Sequence, residues 1–272
     1  MLFTTETSID ALKQTVLQLG VMGRLVSQLS SDEPAAALLD RATRAQQLQA
    51  KPGRSAKSSP SSEVSEAEKF FDLPAGWVWT RKSNVLHFLN GYAFKSEWFK
   101  PEGTRLLRNV NVGHGSIDWK ESASISPVQA AEFGEFELQA NDVVLTLDRP
   151  IISTGLKTAI VKESDLPCLL LQRVAKISAS ADCIATGYLF IWLNSRFFTE
   201  SIDPGRSNGV PHISTTQVAK MAFALPPLAE QRRVVAKVDE LLTVCDHLKL
   251  RLTQARQHHE HLASVLVEQA VA

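Results

Sequence analysis

Short polar stretches in the middle of the sequence have the side chains that proteins use to read DNA bases. In the major groove, arginine can bridge O6 and N7 of guanine, and asparagine can pair with adenine. The candidate residues are Tyr92, Lys95, Arg105, Arg108, Asn109, Arg149, Arg206, Ser207 and Asn208. Glycine and aromatic residues interleave with them. Each stretch alone also fits an ordinary surface loop, and Tyr92 and Phe94 fit core positions better than base stacking.

No stretch of the sequence fits a catalytic motif. A phosphate-binding loop is absent, and Gly113-His114-Gly115 lacks the third glycine and the following helix of a dinucleotide site. His258, His259 and His261 have a helical spacing that a metal could use, although a polar helix face is the favoured interpretation. Neither the cysteines nor the serines have a nucleophile motif. The sequence therefore predicts a chain that is not an enzyme and that binds no metal or cofactor itself.

The composition is that of an ordinary globular protein with balanced charge. The 272 residues include 29 Lys or Arg and 29 Asp or Glu. Because a basic surface is the usual footprint of nucleic-acid binding, neutrality predicts that the isolated chain binds DNA weakly. Cys168, Cys183 and Cys245 are far apart and odd in number, which favours buried, reduced thiols and a cytoplasmic location. We expect neither a signal peptide nor a membrane span.

Both ends of the sequence have the spacing of helices that pack lengthwise on other helices. Near the C-terminus, apolar or small residues recur in steps of three and four, apart from one seven-residue gap that spans His259, at Val234, Val238, Leu241, Cys245, Leu248, Leu252, Ala255, Leu262 and Leu266. The same spacing near the start relates Ile9, Leu12, Val16, Leu19, Gly23 and Val26. Pro227 suits a first helical position, and the C-terminal helix should form a rod of roughly 60 Å. A rod of this length needs a partner helix, in the same chain or in another.

Between these helices the sequence predicts a linker and one globular domain. The expected divisions are an N-terminal helical region at 1–50, a Ser-rich flexible linker at 51–69, the domain at 70–226 and the long C-terminal helix at 227–272. Helices are expected at 6–29, 32–50, 184–198 and 215–220. Strands are expected at 85–89, 105–112, 142–147, 158–161, 169–177 and 221–224. The predicted fold class is α/β (α+β), with a mixed, mostly antiparallel, twisted sheet and coiled-coil-like helices at both chain ends.

Several motifs resemble those of the specificity subunits of type I restriction–modification systems. The segment 226–231, followed by the seamed helix, is similar to the end of a target-recognition domain in that family. Residues 73–77 resemble the start of such a domain, and 91–96 resemble its glycine-aromatic-Phe-Lys-Ser motif. Residues 141–145 resemble its Gly-Asp-hydrophobic motif, with Asn141 where glycine is usual. With further similarity at 8–35 and 212–214, the resemblance covers nearly the whole chain.

The resemblance implies a non-catalytic subunit whose target-recognition domain reads a DNA half-site. It implies double-stranded DNA, DNA methyltransferase subunits and a motor-nuclease subunit as partners, with S-adenosylmethionine, ATP and Mg²⁺ bound by those partner subunits. Family members usually have two recognition domains, whereas this sequence has one. We therefore expect either a half-subunit that forms a homodimer through helices 8–29 and 227–267, or a fragment of a longer protein. A homodimer would read a bipartite palindrome with a non-specific gap.

A coiled-coil interaction scaffold is the alternative function. In that case the helices form a dimerisation rod, and the middle domain binds a protein instead of DNA. Composition does not distinguish the two functions. A competition gel shift with random DNA, run with the methyltransferase partner, distinguishes them. The sequence also leaves open the target bases and whether the helices pair within or between chains.

Overall fold

The structure is a computed structural model that describes residues 5–49, 63–179, 182–202 and 212–271. Most of the predicted linker lies outside these ranges. The helices are α1 Glu6–Val21, α2 Ala35–Gln49, α3 Pro127–Ala130, α4 Thr186–Leu193, α5 Arg196–Thr199, α6 Thr215–Lys220 and α7 Leu228–Val271. The strands are β1 Val78–Arg81, β2 His87–Asn90, β3 Thr104–Leu107, β4 Ser124–Ile125, β5 Val143–Thr146, β6 Ile151–Ile152, β7 Gly155–Leu156, β8 Thr158–Ile160, β9 Cys168–Leu170, β10 Val174–Ser178 and β11 Ala222–Leu225.

The strands form several small, mostly antiparallel sheets. An antiparallel sheet of four strands has the order β2-β10-β5-β8, and β1 pairs antiparallel with β11. In the sheet β4-β3-β9, the pair β3–β9 is parallel. Strands β6 and β7 pair as an antiparallel hairpin. Together with the long C-terminal helix and the shorter N-terminal one, this arrangement confirms the predicted fold class.

Two of the predicted strands are interrupted in the structure. The strand expected at 169–177 is divided into β9 and β10, because Arg173 has a left-handed φ of 68° that a regular strand does not allow. The strand expected at 105–112 ends at Leu107, and a short 3-10 helix, Asn109–Asn111, follows it. Both interruptions leave polar side chains in loops at the end of a strand.

Helix α1 is shorter than predicted because Gly23 ends it. The prediction of one helix over 6–29 is wrong beyond Val21. Gly23 has φ 68°, and a Cβ atom there would lie 2.5 Å from Pro74 Cγ and 2.8 Å from Trp77 Cζ2. Glycine is therefore required both by the backbone conformation and by the close approach of the middle domain.

Helix α1 packs antiparallel along the first part of α7. Near the C-terminal end of α1, a Cβ atom at Gly20 would lie 3.2 Å from Val234 and 3.3 Å from Val238. Towards its N-terminal end, Asp10 accepts a hydrogen bond of 3.0 Å from Lys249 Nζ. Residue numbers fall along α1 as they rise along α7, so the two predicted seams pair within the chain. We call the paired helices the stalk.

Helix α7 is attached to the middle domain by buried polar contacts that we call the joint, which comprises Gln28, Asp32, Trp77 and Glu230–Arg233. Glu230 is 1% exposed and accepts hydrogen bonds of 3.0 Å from both Trp77 Nε1 and Gln28 Nε2. Gln231 is fully buried; its Oε1 accepts from the Ala185 N–H at 2.8 Å, and its Nε2 donates to Cys183 O at 3.0 Å. The segments 73–77 and 226–231, which carry two of the family-like motifs, therefore meet at the joint.

The main core lies between the β1–β11 pair, α4 and the base of the stalk, and it includes Trp192, Phe198 and Phe223. It also encloses Lys82, whose side-chain nitrogen donates to Ala222 O at 3.1 Å. Burial lowers the pKa of Lys82 to about 7. This amine faces the rings of Trp192 and Phe198 at 5.8 and 5.3 Å.

The described ranges also bear on the membrane, metal and thiol predictions. In them, no helix combines the length and the apolar character needed to cross a bilayer. Within the same ranges, no group of three or more His, Cys, Asp or Glu side chains is arranged to hold a metal ion. Cys168, Cys183 and Cys245 are buried free thiols, which confirms that prediction.

Candidate nucleic-acid interface

Polar loop residues meet at one edge of the four-stranded sheet. Strand β10 runs antiparallel to both β2 and β5, with Ala175 opposite Asn90 and Val174 opposite Thr146. The ends of β2 and β5 therefore lie on either side of the turn that precedes β10. We call this surface the Asp148 edge; its residues are Asn90, Gly91, Leu147, Asp148, Arg149, Gln172, Arg173 and His212. These residues, except Arg149, and Ile213 line a cleft of about 430 Å³.

Asp148 connects the loops of this edge. Its Oδ2 accepts a hydrogen bond of 3.1 Å from Arg173, and its Oδ1 lies 3.0 Å from His212 Nδ1. The backbones of Asp148 and His212 also form an antiparallel bridge. One carboxylate thus holds the β9–β10 turn and the segment before α6 against the end of β5.

Gly91 allows the strands to approach closely at the Asp148 edge. A Cβ atom at this position would lie 2.1 Å from the carbonyl oxygen of Leu171, which is a backbone atom that no side-chain rotation can move. The Gly91 N–H donates to Val174 O at 3.0 Å. The glycine of the family-like motif at 91–96 is therefore needed for close backbone contact, and it helps to fix the turn that presents Gln172 and Arg173.

Two arginines of this edge adopt a left-handed backbone conformation. Arg149 has φ 48° and Arg173 has φ 68°. Such angles are uncommon for residues other than glycine and often mark functional loops. Arg149 is exposed and makes no hydrogen bond or ion pair with any other described residue. The Arg173 side chain is 68% exposed despite its contact with Asp148. Both guanidinium groups are accessible to an anionic partner.

Asn109 belongs to the support of this edge. Its Nδ2 donates to Asp148 O at 2.6 Å, and its own carbonyl oxygen accepts from Lys157 Nζ at 2.7 Å. Its Oδ1 also contacts Lys157 Nζ. Burial lowers the pKa of Lys157, and the nearby Asp148 carboxylate opposes this shift. In this conformation the Asn109 amide holds loops together instead of facing solvent.

Tyr92 and Lys95 lie beside an aromatic cluster. The Tyr92 ring packs against Phe94, Phe133 and Phe136 at centroid distances between 4.7 and 5.3 Å, yet the residue is 37% exposed. Phe94 is buried. Lys95 is exposed and its Nζ lies 5.4 Å from the Trp98 ring centre. Tyr92 therefore combines a core contact with an accessible face.

Arg105 and Arg108 are engaged within the domain. The Arg105 guanidinium lies 4.4 Å from the Trp119 ring centre and donates to the carbonyl oxygens of Ser164 and Leu166. Arg108 donates to Glu121 O, and its Nε is buried without a partner among the described residues. Base reading by these two side chains stays a prediction that requires them to leave their present partners.

The remaining predicted residues, Arg206, Ser207 and Asn208, lie outside the described residues. The described chain resumes at His212, which is part of the Asp148 edge.

Sequence reasoning missed Gln172, Arg173 and Lys157. The first two fall inside an apolar run that reads as one continuous strand, and their polar character in that run was the available signal. The ends of β2 and β5 and the β9–β10 turn are far apart in sequence, so only strand pairing brings them together.

Comparison with known proteins provides an independent view of the chain. No family model matches it. Over 99% of its length it is 52% identical to the type I restriction enzyme EcoAI specificity subunit and 32% identical to the EcoEI specificity subunit, both from Escherichia coli. These matches cover 46% of each relative, so the chain spans about half the length of the curated relatives it matches. A solved structure from work on complex assembly and conformational transition of the type I R-M system is similar in fold. It aligns over 97% of this chain and 57% of its own, with a TM-score of 0.57 and 18% identity.

Proposed function

Because the chain belongs to the specificity subunits of type I restriction–modification systems, of whose length it spans about half, we propose that it is a sequence-specific DNA-recognition subunit. It reads one half-site of double-stranded DNA in the major groove through the Asp148 edge. Membership of a family of specificity subunits agrees with the prediction that the chain is not an enzyme. Chemistry on DNA then belongs to partner subunits in the cytoplasm, which bind S-adenosylmethionine, ATP and Mg²⁺.

The observation that carries this proposal is that Arg149, which has no partner among the described residues, lies on an edge whose loops are joined by hydrogen bonds. Arg149 and Arg173 extend from the ends of paired strands, in loops that Asp148 and Asn109 hold in place. An accessible, planar guanidinium can recognise guanine bidentately or contact a phosphate. The zero net charge of the chain is compatible with this local cationic surface.

The stalk supports a role in assembly with methyltransferase and motor-nuclease subunits. Helix α1 reaches along α7 only as far as Arg256, whose Nη1 lies 4.0 Å from Glu6 Oε1. Farther along α7, Leu262, Leu266 and Val267 are 58 to 65% exposed. The expected homodimer used helices 8–29 and 227–267. Because α1 of the same chain already covers the first part of α7, only the outer part of α7 remains for contact with a second copy. A second recognition unit, from another copy or from the rest of a longer chain, would pair along the outer part of α7.

Methylation by the assembled complex tests this function. We expect Arg149→Ala to reduce kcat/KM for the cognate site by roughly 10- to 100-fold, which corresponds to about 1–3 kcal/mol for one base-reading contact. Arg173→Ala should act in the same direction. Arg196→Ala is the matched control, because this exposed arginine lies on α5 and not at the Asp148 edge.

The outcomes separate this function from its alternative. Loss of discrimination at one base pair identifies base reading, whereas an equal loss on all sequences with a smaller salt dependence identifies a phosphate contact. Unchanged rate and specificity in both edge variants would remove this edge from recognition. A complex that modifies random DNA as well as its site would favour the scaffold function.

A further inference from the structure

A two-stranded ribbon extends beyond the sheet next to Arg149. Strands β5 and β8 are paired in the sheet, and the chain between them continues as the β6–β7 hairpin. Its outer residues, Ile151, Ile152, Ser153 and Thr154, are all exposed. Ile151 is 42% exposed and Ile152 is 40% exposed. Two large aliphatic side chains therefore face solvent at the end of a narrow ribbon.

The base of this ribbon is fixed by hydrogen bonds and buried side chains. The Lys157 N–H donates to Pro150 O at 2.7 Å, and the Thr146 N–H donates to Lys157 O at 3.1 Å. Leu156 is 1% exposed. His114 covers the other side, since a Cβ atom at Gly155 would lie 2.7 Å from its ring. The fold thus holds the two isoleucines in a defined position outside the core.

The charged side chains around the ribbon indicate which kind of partner binds it. Arg149 precedes it and has no described partner, and the largely exposed Arg173 lies on the other side of Asp148. An apolar tip beside two accessible cations is complementary to duplex DNA, in which phosphates flank the base edges. The major groove is about 12 Å wide and accepts a two-stranded ribbon, and its apolar feature is the C5-methyl group of thymine.

We infer that the ribbon 150–157 enters the major groove and that Ile151 and Ile152 recognise thymine through contact with its methyl group. This inference deepens the proposed function and rests on it. The two isoleucines become specificity-determining residues that act by apolar contact, beside the hydrogen bonding of Arg149. The half-site read by this chain must then contain at least one A·T pair.

Replacement of thymine by uracil in the cognate site tests this contact, because uracil lacks only the methyl group. The full chain is assembled with its methyltransferase subunits, and kcat/KM for methylation is measured on duplexes with single thymine-to-uracil changes. For the wild type, we expect a loss of about three- to fivefold at a contacted thymine, the value of one buried methyl group. In the double variant Ile151→Ala, Ile152→Ala, the same change should have almost no further effect.

The control is Val128→Ala, which trims an apolar residue that is 83% exposed on α3. It should retain the full sensitivity to uracil. A wild type that is insensitive to every uracil change, a half-site made only of G·C pairs, or equal uracil sensitivity in the double variant would overturn the inference. Weaker assembly with the methyltransferase subunits at unchanged uracil sensitivity would assign the tip to a protein partner instead. A wild-type complex without sequence preference would refute the proposed function itself.

Discussion

The joint and the Asp148 edge differ in whether their polar side chains are buried and paired within the chain. At the joint, Glu230 and Gln231 are buried and each has several hydrogen-bond partners within the chain. At the Asp148 edge, Arg149 has no described partner and Arg173 remains largely exposed. Polar groups that hold a fold together must be satisfied internally, since an unpaired buried group is costly. The polar groups left accessible are those available to a partner.

The largest effect should come from filling the space at Gly91. Gly91→Ala places a methyl group against the Leu171 carbonyl, so the end of β2 and the β9–β10 turn must separate. We expect a loss of about 3 kcal/mol in the free energy of unfolding, measured by chemical denaturation, together with loss of methylation. Gly134→Ala is the control, because a Cβ atom there meets no other atom within 4 Å. If Gly91→Ala were as stable as Gly134→Ala, the backbones of Gly91 and Leu171 would not be held in close contact at the Asp148 edge.

A smaller effect is expected at the joint. Glu230→Ala leaves the buried Trp77 N–H without an acceptor, which should lower the free energy of unfolding by about 2 kcal/mol. Glu230→Gln keeps an acceptor and should be milder. Neither variant should alter which bases are preferred, as judged by methylation of a site library.

The two joint variants also differ in pH dependence. Burial raises the pKa of Glu230 above its usual value, by more than the hydrogen bonds from Gln28 and Trp77 lower it. The folded state therefore holds the Glu230 proton more tightly, and this stabilisation is present below the unfolded pKa of 4.5 and lost as the pH rises through the folded pKa. Glu230→Gln should lack this loss. Parallel stability profiles of the wild type and Glu230→Gln above pH 4.5 would contradict the assignment.

The smallest effect is expected on the exposed side of the stalk. Lys249 contacts Asp10 and Glu6, but these side chains are 34 to 54% exposed. Lys249→Ala should change the free energy of unfolding by less than about 0.5 kcal/mol at moderate salt. A loss as large as that of Glu230→Ala would mean that the stalk depends on its ion pairs and not on its apolar seam.

The elements that follow local patterns were predicted well from sequence. Pro227 as a first helical position predicted the start of the C-terminal helix within one residue of its observed start at Leu228, and the helix at 215–220 has the predicted bounds. Helix α1 was predicted too long because Gly23 ends it through a tertiary contact with Pro74 and Trp77. The division of the predicted strand 169–177 into β9 and β10 was not predicted, because the apolar pattern around Arg173 does not indicate its left-handed backbone.

The candidate site was harder to predict than the fold. Residue type predicted both Arg149 and Arg105 as candidates, but it could not show that the side chain of Arg149 is accessible whereas that of Arg105 is engaged by Trp119 and by backbone carbonyls. Those partners are distant in sequence, so whether an arginine is free or engaged depends on tertiary packing. For the same reason the direction in which α1 runs along α7 could not be read from two similar heptad patterns.

The unbroken length of α7 has a mechanical consequence. Its 44 residues form a rod of about 66 Å, which is attached to the middle domain near one end by the buried residues Glu230 and Gln231. A tilt of α7 by about ten degrees at the joint would displace its far end by about 11 Å, given the rise per residue of a helix. If a duplex binds to the domain as proposed, a small tilt of the domain on binding would therefore cause a large displacement of any protein bound at the far end of α7.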